Sequence, residues 1–534
     1  MKKLKYLMIV ISFSLIGCDG LLDKSDPTAT TFVEFFNDEE DLRRVTYSTY
    51  VDYFASGDRR LVHYMHEGKS DNAYSRIDSD HHQQVANGSL SSNSRLAEYY
   101  YTISMKHIGR LNTYIDNIDV PYVEDEDIRN RYQSVLEGLR VWHYFKLTDR
   151  FGDIPFLLDP ADLDDARQPP VPKEEIVQTL LAMGDDIAER LPPEQTTSNA
   201  YMFHKQSFLG ILMRHSLYNG FYEEVIDYAQ EIINTGDYEL HPNYGDLFQY
   251  TAHDSNNEFI KINDDDARGG RNTLSFRDLG PHFRTGNGQS YLVPTKSLVD
   301  SYWTLQGRSI DNDDVMGNSK ENYELDPTLN RDPRYEASIM GHGDIFYGEV
   351  IDIYNPNNPM FHENTRASAS GYWFRKYVSE DDAFRNGGSF EYGTLRYAEV
   401  LLSYAEAKIM LNEIDGVTKG YINDVRERAG LDMTEADVTL PYYDSYTQDD
   451  WIELIRNERR IEFAAEGLRY DDIIRWGIAE DVLNEPALGH TREVNGNIET
   501  LHIEDRSFAQ HNYLWPFHQS SIKVEPELEQ NSGY

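Results

Sequence analysis

Across 534 residues the sequence contains one cysteine, Cys18. No disulfide can form within the chain, so the fold must rest on its own buried core, which a chain of this length can build. Basic residues are scarce too: 50 lysines and arginines face 92 aspartates and glutamates, a formal net charge of −42. Such a field repels nucleic acid and anionic lipid headgroups, which excludes DNA or RNA binding and polybasic membrane docking. The apolar run from Tyr6 to Ile16 is shorter than the about 20 residues a membrane-spanning helix needs. Catalytic signatures are also missing. The sequence has no His-Glu-x-x-His helix, no phosphate-binding Gly-Lys-Ser/Thr loop, no dinucleotide fingerprint and no Gly-x-Ser-x-Gly elbow.

What is present begins at the N-terminus. A basic start, Met1-Lys2-Lys3-Leu4-Lys5, precedes the apolar run and then Leu15-Ile16-Gly17-Cys18. This is the pattern of a secretory signal (residues 1–17) cut before a cysteine that becomes the lipidated mature N-terminus. Two or more acyl chains on Cys18 anchor stably where one does not, each buried methylene contributing about 0.8 kcal/mol. Lipidation also removes the one thiol from any catalytic role. Removing the signal takes away Lys2, Lys3 and Lys5 and no acid, so the mature chain is more acidic still. Residues 18–32 then read as a short polar tether.

Aromatics make up 13% of the chain, with 38 tyrosines, while the mean hydropathy is −0.63. Tyrosine offers an apolar face and a polar tip. A hydrophilic exported chain rich in it has the composition of a sugar-binding surface, although many of these rings must be core.

Helical periodicity marks Val33–Ala55, Tyr99–Ile118, Arg131–Asp149, Lys173–Leu191 and Gln206–Thr235, with Gly236 at the expected stop. Ala398, Leu401, Leu402, Ala405 and Ile409 form one apolar stripe, and a further helix is expected from Asp450 to about Trp476. Between these helices, 241–392 has no long periodic run and only short strand-like pieces such as Phe259–Ile262. The expected architecture is mainly α: a layer of helix pairs (33–240 and 393–534) carrying a large irregular insertion and a few short strands.

The conspicuous charged cluster runs from Arg456 to Gly467. Glu458 and Glu462 share a helix face at i, i+4, but the surrounding arginines lower carboxylate pKa values, where an acid catalyst needs one raised. A buried, paired network is the better reading. His81 and His82 are adjacent and point apart, and the acidic runs Asp264–Asp266 and Asp311–Asp314 do not fit a calcium loop. Solvated loops explain those runs better than calcium does. The polar stretch Glu67–Arg95 contains Asp71, Asn72, Tyr74, Arg76, His81 and His82, and Tyr99-Tyr100-Tyr101 follows it. Aromatic faces beside planar hydrogen-bonding groups are how sugars are held, and an ordinary solvated loop is the equal alternative. Arg268, Arg271, Arg277 and Arg284 either receive acidic groups of a glycan or, more simply, pair with neighbouring aspartates.

The C-terminal half resembles the SusD/RagB family of outer-membrane nutrient-binding lipoproteins. Arg331-Asp332-Pro333-Arg334, Leu395–Ala407, Ile422–Gly430, Arg456–Phe463 and Gly467–Trp476 are similar to the family's most recognisable segments. Leu514-Trp515-Pro516-Phe517 and Gln530–Tyr534 are similar to its closing ones, and upstream Phe151-Gly152-Asp153-Ile154-Pro155 and the lipidation signal fit as well.

The resemblance implies a domain built on tetratricopeptide-like helix pairs, without enzymatic activity or cofactor. It implies a lipid-anchored place at the outer membrane, as the lid of a SusC-like TonB-dependent transporter to which captured oligosaccharide is handed. The matched words belong to the scaffold. Ligand contacts are expected from the early loop and the central irregular region, which makes Asp71, Asn72, Tyr74, Arg76, Tyr100, Phe283, Arg284 and Tyr347 the candidates. Oligopeptide capture, a helical lipoprotein glycoside hydrolase and a purely structural transporter subunit are the competing readings.

Overall fold

A computed structural model describes residues 36–54, 62–77, 81–161, 168–193, 202–252, 256–264, 275–283, 286–311, 316–384, 388, 390–434, 438–439 and 445–534. Cys18, the signal, the tether, Arg268, Arg271 and Arg284 lie outside the described residues, as do most of the two acidic runs.

The N-terminal half is a procession of helices: α1 (Glu39–Phe54), α2 (Arg95–Asp116), α3 (Glu126–Phe151), α4 (Lys173–Arg190), α5 (Lys205–Tyr218) and α6 (Tyr222–Thr235). Each of α2 to α5 packs on the next in chain order, and α1 lies on α3. The stretch expected as one helix, 206–235, is two. Asn219-Gly220-Phe221 interrupts it, with Gly220 in the left-handed region (φ 77°). So short a connection turns the chain back on itself, and α5 and α6 become a packed pair. Asp125 caps α3 by accepting from the Asp127 amide at 2.9 Å.

The helices resume with α7 (Lys296–Ser301), α8 (Tyr397–Met410), α9 (Gly416–Arg428), α10 (Gln448–Glu462) and α11 (Arg469–Arg475). Helix α8 packs on α6, α9 and α10. It is buried on nearly every side, Glu399, Ser403 and Glu406 included, and not along one stripe alone. The expected helix 450–476 breaks after Glu462. Ala465 and Gly467 take positive φ (63° and 75°), and a Cβ on Gly467 would stand 2.3 Å from the His63 carbonyl oxygen. Only glycine fits there, and its amide donates to Glu67 at 2.9 Å.

Among the described residues the strands pair as small antiparallel sheets: β1 (Ala73–Ser75) with β3 (Leu292–Pro294), β2 (Phe259–Asp264) with β8 (Glu391–Arg396), β4 (Ile339–Met340) with β7 (Trp373–Phe374), β5 (Ile345–Phe346) with β6 (Glu349–Val350), and β9 (Ala487–Val494) with β10 (Asn497–Glu504). The first two join the irregular region to the helical parts on either side. One apolar cluster fills α1–α6, a second lies in the irregular region around Phe248, Trp373 and Tyr377, and a third lies between α8, α9 and α10.

The recognisable words converge on one buried ionic network. Arg334 binds Asp332, Glu458 and Glu462, while Arg396 binds Glu258, Glu462 and Glu466. Arg426 reaches Glu458, and Arg428 reaches Glu258 and Glu462. The closing segment is sewn to α3: the Trp515 amide donates to the Arg150 carbonyl at 2.7 Å, and Asn531 Nδ2 donates to the carbonyls of Trp515 and Phe151. These motifs hold distant parts of the chain together.

Candidate functional site

The first part of the early polar stretch, Glu67 to Ser75, is largely interior, while Ser89, Ser91, Asn93 and Arg95 towards its end are exposed. The stretch is organised as a 3-10 turn, His63–Lys69, then β1 and a short helix, His82–Ala86. Asp71 is only 4% exposed, and its carboxylate accepts from Arg460 Nη2 at 2.7 Å and from Arg469 Nε at 2.8 Å. Burial alone would raise this carboxyl, but the two guanidinium charges outweigh it and hold it far below the usual carboxylate range. Asn72 is fully buried, donating to Glu67 at 2.6 Å and accepting from Arg460 Nε at 2.8 Å. Burial moves Glu67 the other way, up to about 7. Tyr100 is buried too, with its hydroxyl 3.0 Å from His66 Nε2 and its ring edge-on to Trp515.

Asp71, Asn72 and Tyr100 therefore lock the fold from inside, and their polar atoms are taken by protein partners. Tyr74 is half-buried on β1, opposite Val293. Arg76 points its guanidinium at the backbone carbonyls of Thr365, Gln289 and Ser290, which ties the early segment to two later loops.

The irregular region brings two other candidates together. Strands β5 and β6 are joined by Tyr347-Gly348, both at positive φ (52° and 72°), the two-residue turn whose twist suits a tight hairpin. That turn lifts Tyr347 to the hairpin tip, where it is 44% exposed. Its amide donates to Glu380 Oε1 at 2.5 Å, which fixes the tip against the neighbouring loop. Phe384, 51% exposed, lies edge-on to Tyr347 with ring centroids 5.3 Å apart. Phe283, 1% exposed, supports both rings from below at 5.2 and 5.6 Å. Phe346 packs under Phe283 in turn and contacts Phe276. Ile345 and Val350, paired across the hairpin, are exposed beside the tip.

The result is a surface of aromatic and aliphatic faces on a buried aromatic base, with Glu380 bound to its tip. Phe384 was missed in the sequence reading. Its one signal is that it is a lone aromatic in the polar run Glu380-Asp381-Asp382-Ala383-Phe384-Arg385.

Glu458 and Glu462 do not form a hydrolytic pair. Both are buried in the network, and although burial would raise Glu462, Arg428, Arg396 and Arg334 hold it well below the usual carboxylate range. Among the described residues no group of three or more His, Cys, Asp or Glu is placed to hold a metal ion, and no helix is long and apolar enough to cross a membrane. Arg277 stands 3.7 Å from its neighbour Asp278, the local pairing expected as the simpler reading for that arginine.

A helical-repeat layer presenting an irregular, aromatic-tipped region is the build of a binding scaffold. The SusD family model matches residues 255–534, and the chain belongs to that family. It is 25% identical over 521 residues to SusD-like protein P2 of Formosa agariphila, covering 94% of this chain and 96% of that protein. The fold matches the crystal structure of a SusD-like carbohydrate binding protein from Bacteroides fragilis with a TM-score of 0.79 and 25% identity, over 93% of this chain and 100% of that one. It also matches surface glycan-binding protein A from Bacteroides thetaiotaomicron in complex with laminarihexaose, with a TM-score of 0.67, 19% identity and the same coverage. That last likeness shows the fold alone. The solved proteins are named for binding and not for catalysis.

Proposed function

We propose that this protein is a non-catalytic lipoprotein of the outer membrane, held through Cys18, that captures oligo- or polysaccharide and delivers it to a SusC-like TonB-dependent transporter. The observation that carries the reading is the Tyr347–Phe384 pair raised over Phe283. Two exposed rings on a buried aromatic base give sugar rings flat apolar faces to stack on, at little entropic cost because the base is already ordered. Arg284 adjoins Phe283 in the chain and stays a candidate for contact with ligand. Tyr74 and Arg76 stay candidates at the edge of the early segment. The tether after Cys18 supports the delivery step, because it keeps a capture domain close to its transporter between binding events.

Affinity electrophoresis of the mature protein against neutral, uronate-containing and sulfated polysaccharides tests the reading. Covering one ring face removes roughly 50 Å² of apolar surface, about 1.3 kcal/mol at ~25 cal/mol/Å², or about tenfold in affinity. Tyr347→Ala and Phe384→Ala are each expected to weaken binding by that factor with the melting temperature unchanged. A double variant that binds as the wild type does would remove this face from the site. New reducing ends in the incubated polysaccharide would sink the non-catalytic reading.

A further inference from the structure

Helix α10 has a second face that the buried network does not use. Asp449, Glu453, Arg456, Asn457 and Arg460 recur at helical spacing, away from the buried Trp451, Leu454, Ile455, Glu458 and Glu462. They form one wall of a cleft of about 390 Å³, closed by Trp303 beyond the end of α7 and by Arg469 of α11.

Two of its arginines are committed, since Arg460 and Arg469 both bind Asp71. Arg456 is not. It lies over the Trp476 ring at 5.0 Å, and the Glu406 carboxylate that acts on it electrostatically is bound by Arg475, so its guanidinium has no ion pair of its own among the described residues. The Trp303 indole N–H and the Asn457 carboxamide likewise have no described hydrogen-bond partner. The arginines around it that meet in the ionic network each have a carboxylate. The cleft thus gathers a cation, an indole and an amide that have no ion-pair or hydrogen-bond partner among the described residues, together with the exposed acceptors Asp449 and Glu453.

That combination selects among ligands. An inorganic anion would leave the indole face and the two rim acceptors unused. A neutral sugar's hydroxyls would accept from Arg456 but leave its charge uncompensated in a partly desolvated cleft. A sugar bearing a carboxylate satisfies every group: its ring on the indole, its hydroxyls on Asn457 and the rim acids, its carboxylate on the guanidinium in a charge-assisted, two-point contact. We propose that the cleft between Trp303 and Arg456 is a second saccharide site, specific for a uronic-acid unit. This rests on the glycan-capture reading above and adds a site apart from the Tyr347–Phe384 face.

Calorimetric titration of the mature protein with an oligogalacturonate and with a neutral oligoglucoside of equal length tests it. The wild type is expected to bind the oligogalacturonate, more weakly as salt rises from about 0.1 M to about 0.5 M. Arg456→Gln and Trp303→Ala should each lower that affinity by about tenfold, Arg456→Lys should lower it less, and Arg456→Gln should leave neutral binding unchanged. An unchanged melting temperature for Arg456→Gln separates lost contact from lost fold. Oligogalacturonate binding that survives both variants but fails in the Tyr347→Ala, Phe384→Ala double variant overturns the second site and leaves glycan capture standing. No oligogalacturonate binding by the wild type, with neutral binding intact, overturns it equally. Failure of both ligands to bind overturns this site and the reading it rests on.

Discussion

Glu462 is the residue whose loss the fold should feel most. It has no solvent exposure and lies where three guanidinium groups meet: Arg396 Nη1 at 2.7 Å, Arg334 Nη1 at 3.0 Å, and Arg428. Its own network is electrically balanced. Arg334, Arg396, Arg426, Arg428 and Lys376 are matched one for one by Asp332, Glu258, Glu458, Glu462 and Glu466. Glu462→Gln keeps the side chain's shape and removes its charge, leaving one cation uncompensated in a dry interior. Breaking a buried pair in this way costs about 3–5 kcal/mol.

The assay is urea unfolding, in which the midpoint should fall while the slope stays constant. Adding Arg428→Met restores neutrality, so the double variant should lose less than the two single losses combined, by about 0.5–3 kcal/mol of coupling. The pH dependence follows from the depressed carboxyl. The folded group holds its proton less tightly than the unfolded one, so its stabilisation is fully present above the ordinary value of 4.5 and drains away as pH falls below it. The gap between wild type and Glu462→Gln should therefore narrow below that pH. A single variant within about 1 kcal/mol of wild type, or additive losses in the pair, would refute the reasoning.

Gly467→Ala should destabilise severely or abolish folding, because its Cβ would collide with the His63 carbonyl oxygen at 2.3 Å and its φ is positive. Gly420→Ala, in the middle of α9 with open space around it, should instead stabilise by about 0.5–1 kcal/mol, and thermal melts of the two variants report the contrast. Burial, then His342 and Arg492, lowers His490 from 6.5 to about 4. Its folded form stays neutral while the unfolded form charges, so stability is lost as pH drops below 6.5, by about 2 kcal/mol at pH 5. His490→Asn should flatten that part of the curve, and an unchanged curve would show that another group governs it. Cys18→Ala should release the protein from the membrane fraction, and full retention in fractionated cells would refute lipid anchoring at this residue.

Most of the helical layer was legible in the chain. The boundaries of α4 nearly coincide with the apolar period, and Gly236 ends α6 as its position indicated. What misled was continuity of pattern. Apolar residues keep helical spacing across Asn219-Gly220 and across Phe463–Gly467, yet a left-handed residue at Gly220 and the close approach of His63 at Gly467 break the helices there. Composition also misled over the first part of the early stretch, Glu67 to Ser75. Ser, Asp and Asn read as a solvated loop because the partners that bury them lie far along the chain: Asp71 meets Arg460 and Arg469 at separations of 389 and 398 residues.

Local physics explains this division. The helix periods and the family words are each contained in a few neighbouring residues, and the sequence by itself determined the class of protein from them. Whether a polar side chain faces ligand or another side chain is a property of what folds against it. Only the tertiary structure decided that Asp71, Asn72 and Tyr100 hold the interior together. It also decided that Tyr347 and Phe384, dozens of residues apart and unremarked by any motif, share one exposed face.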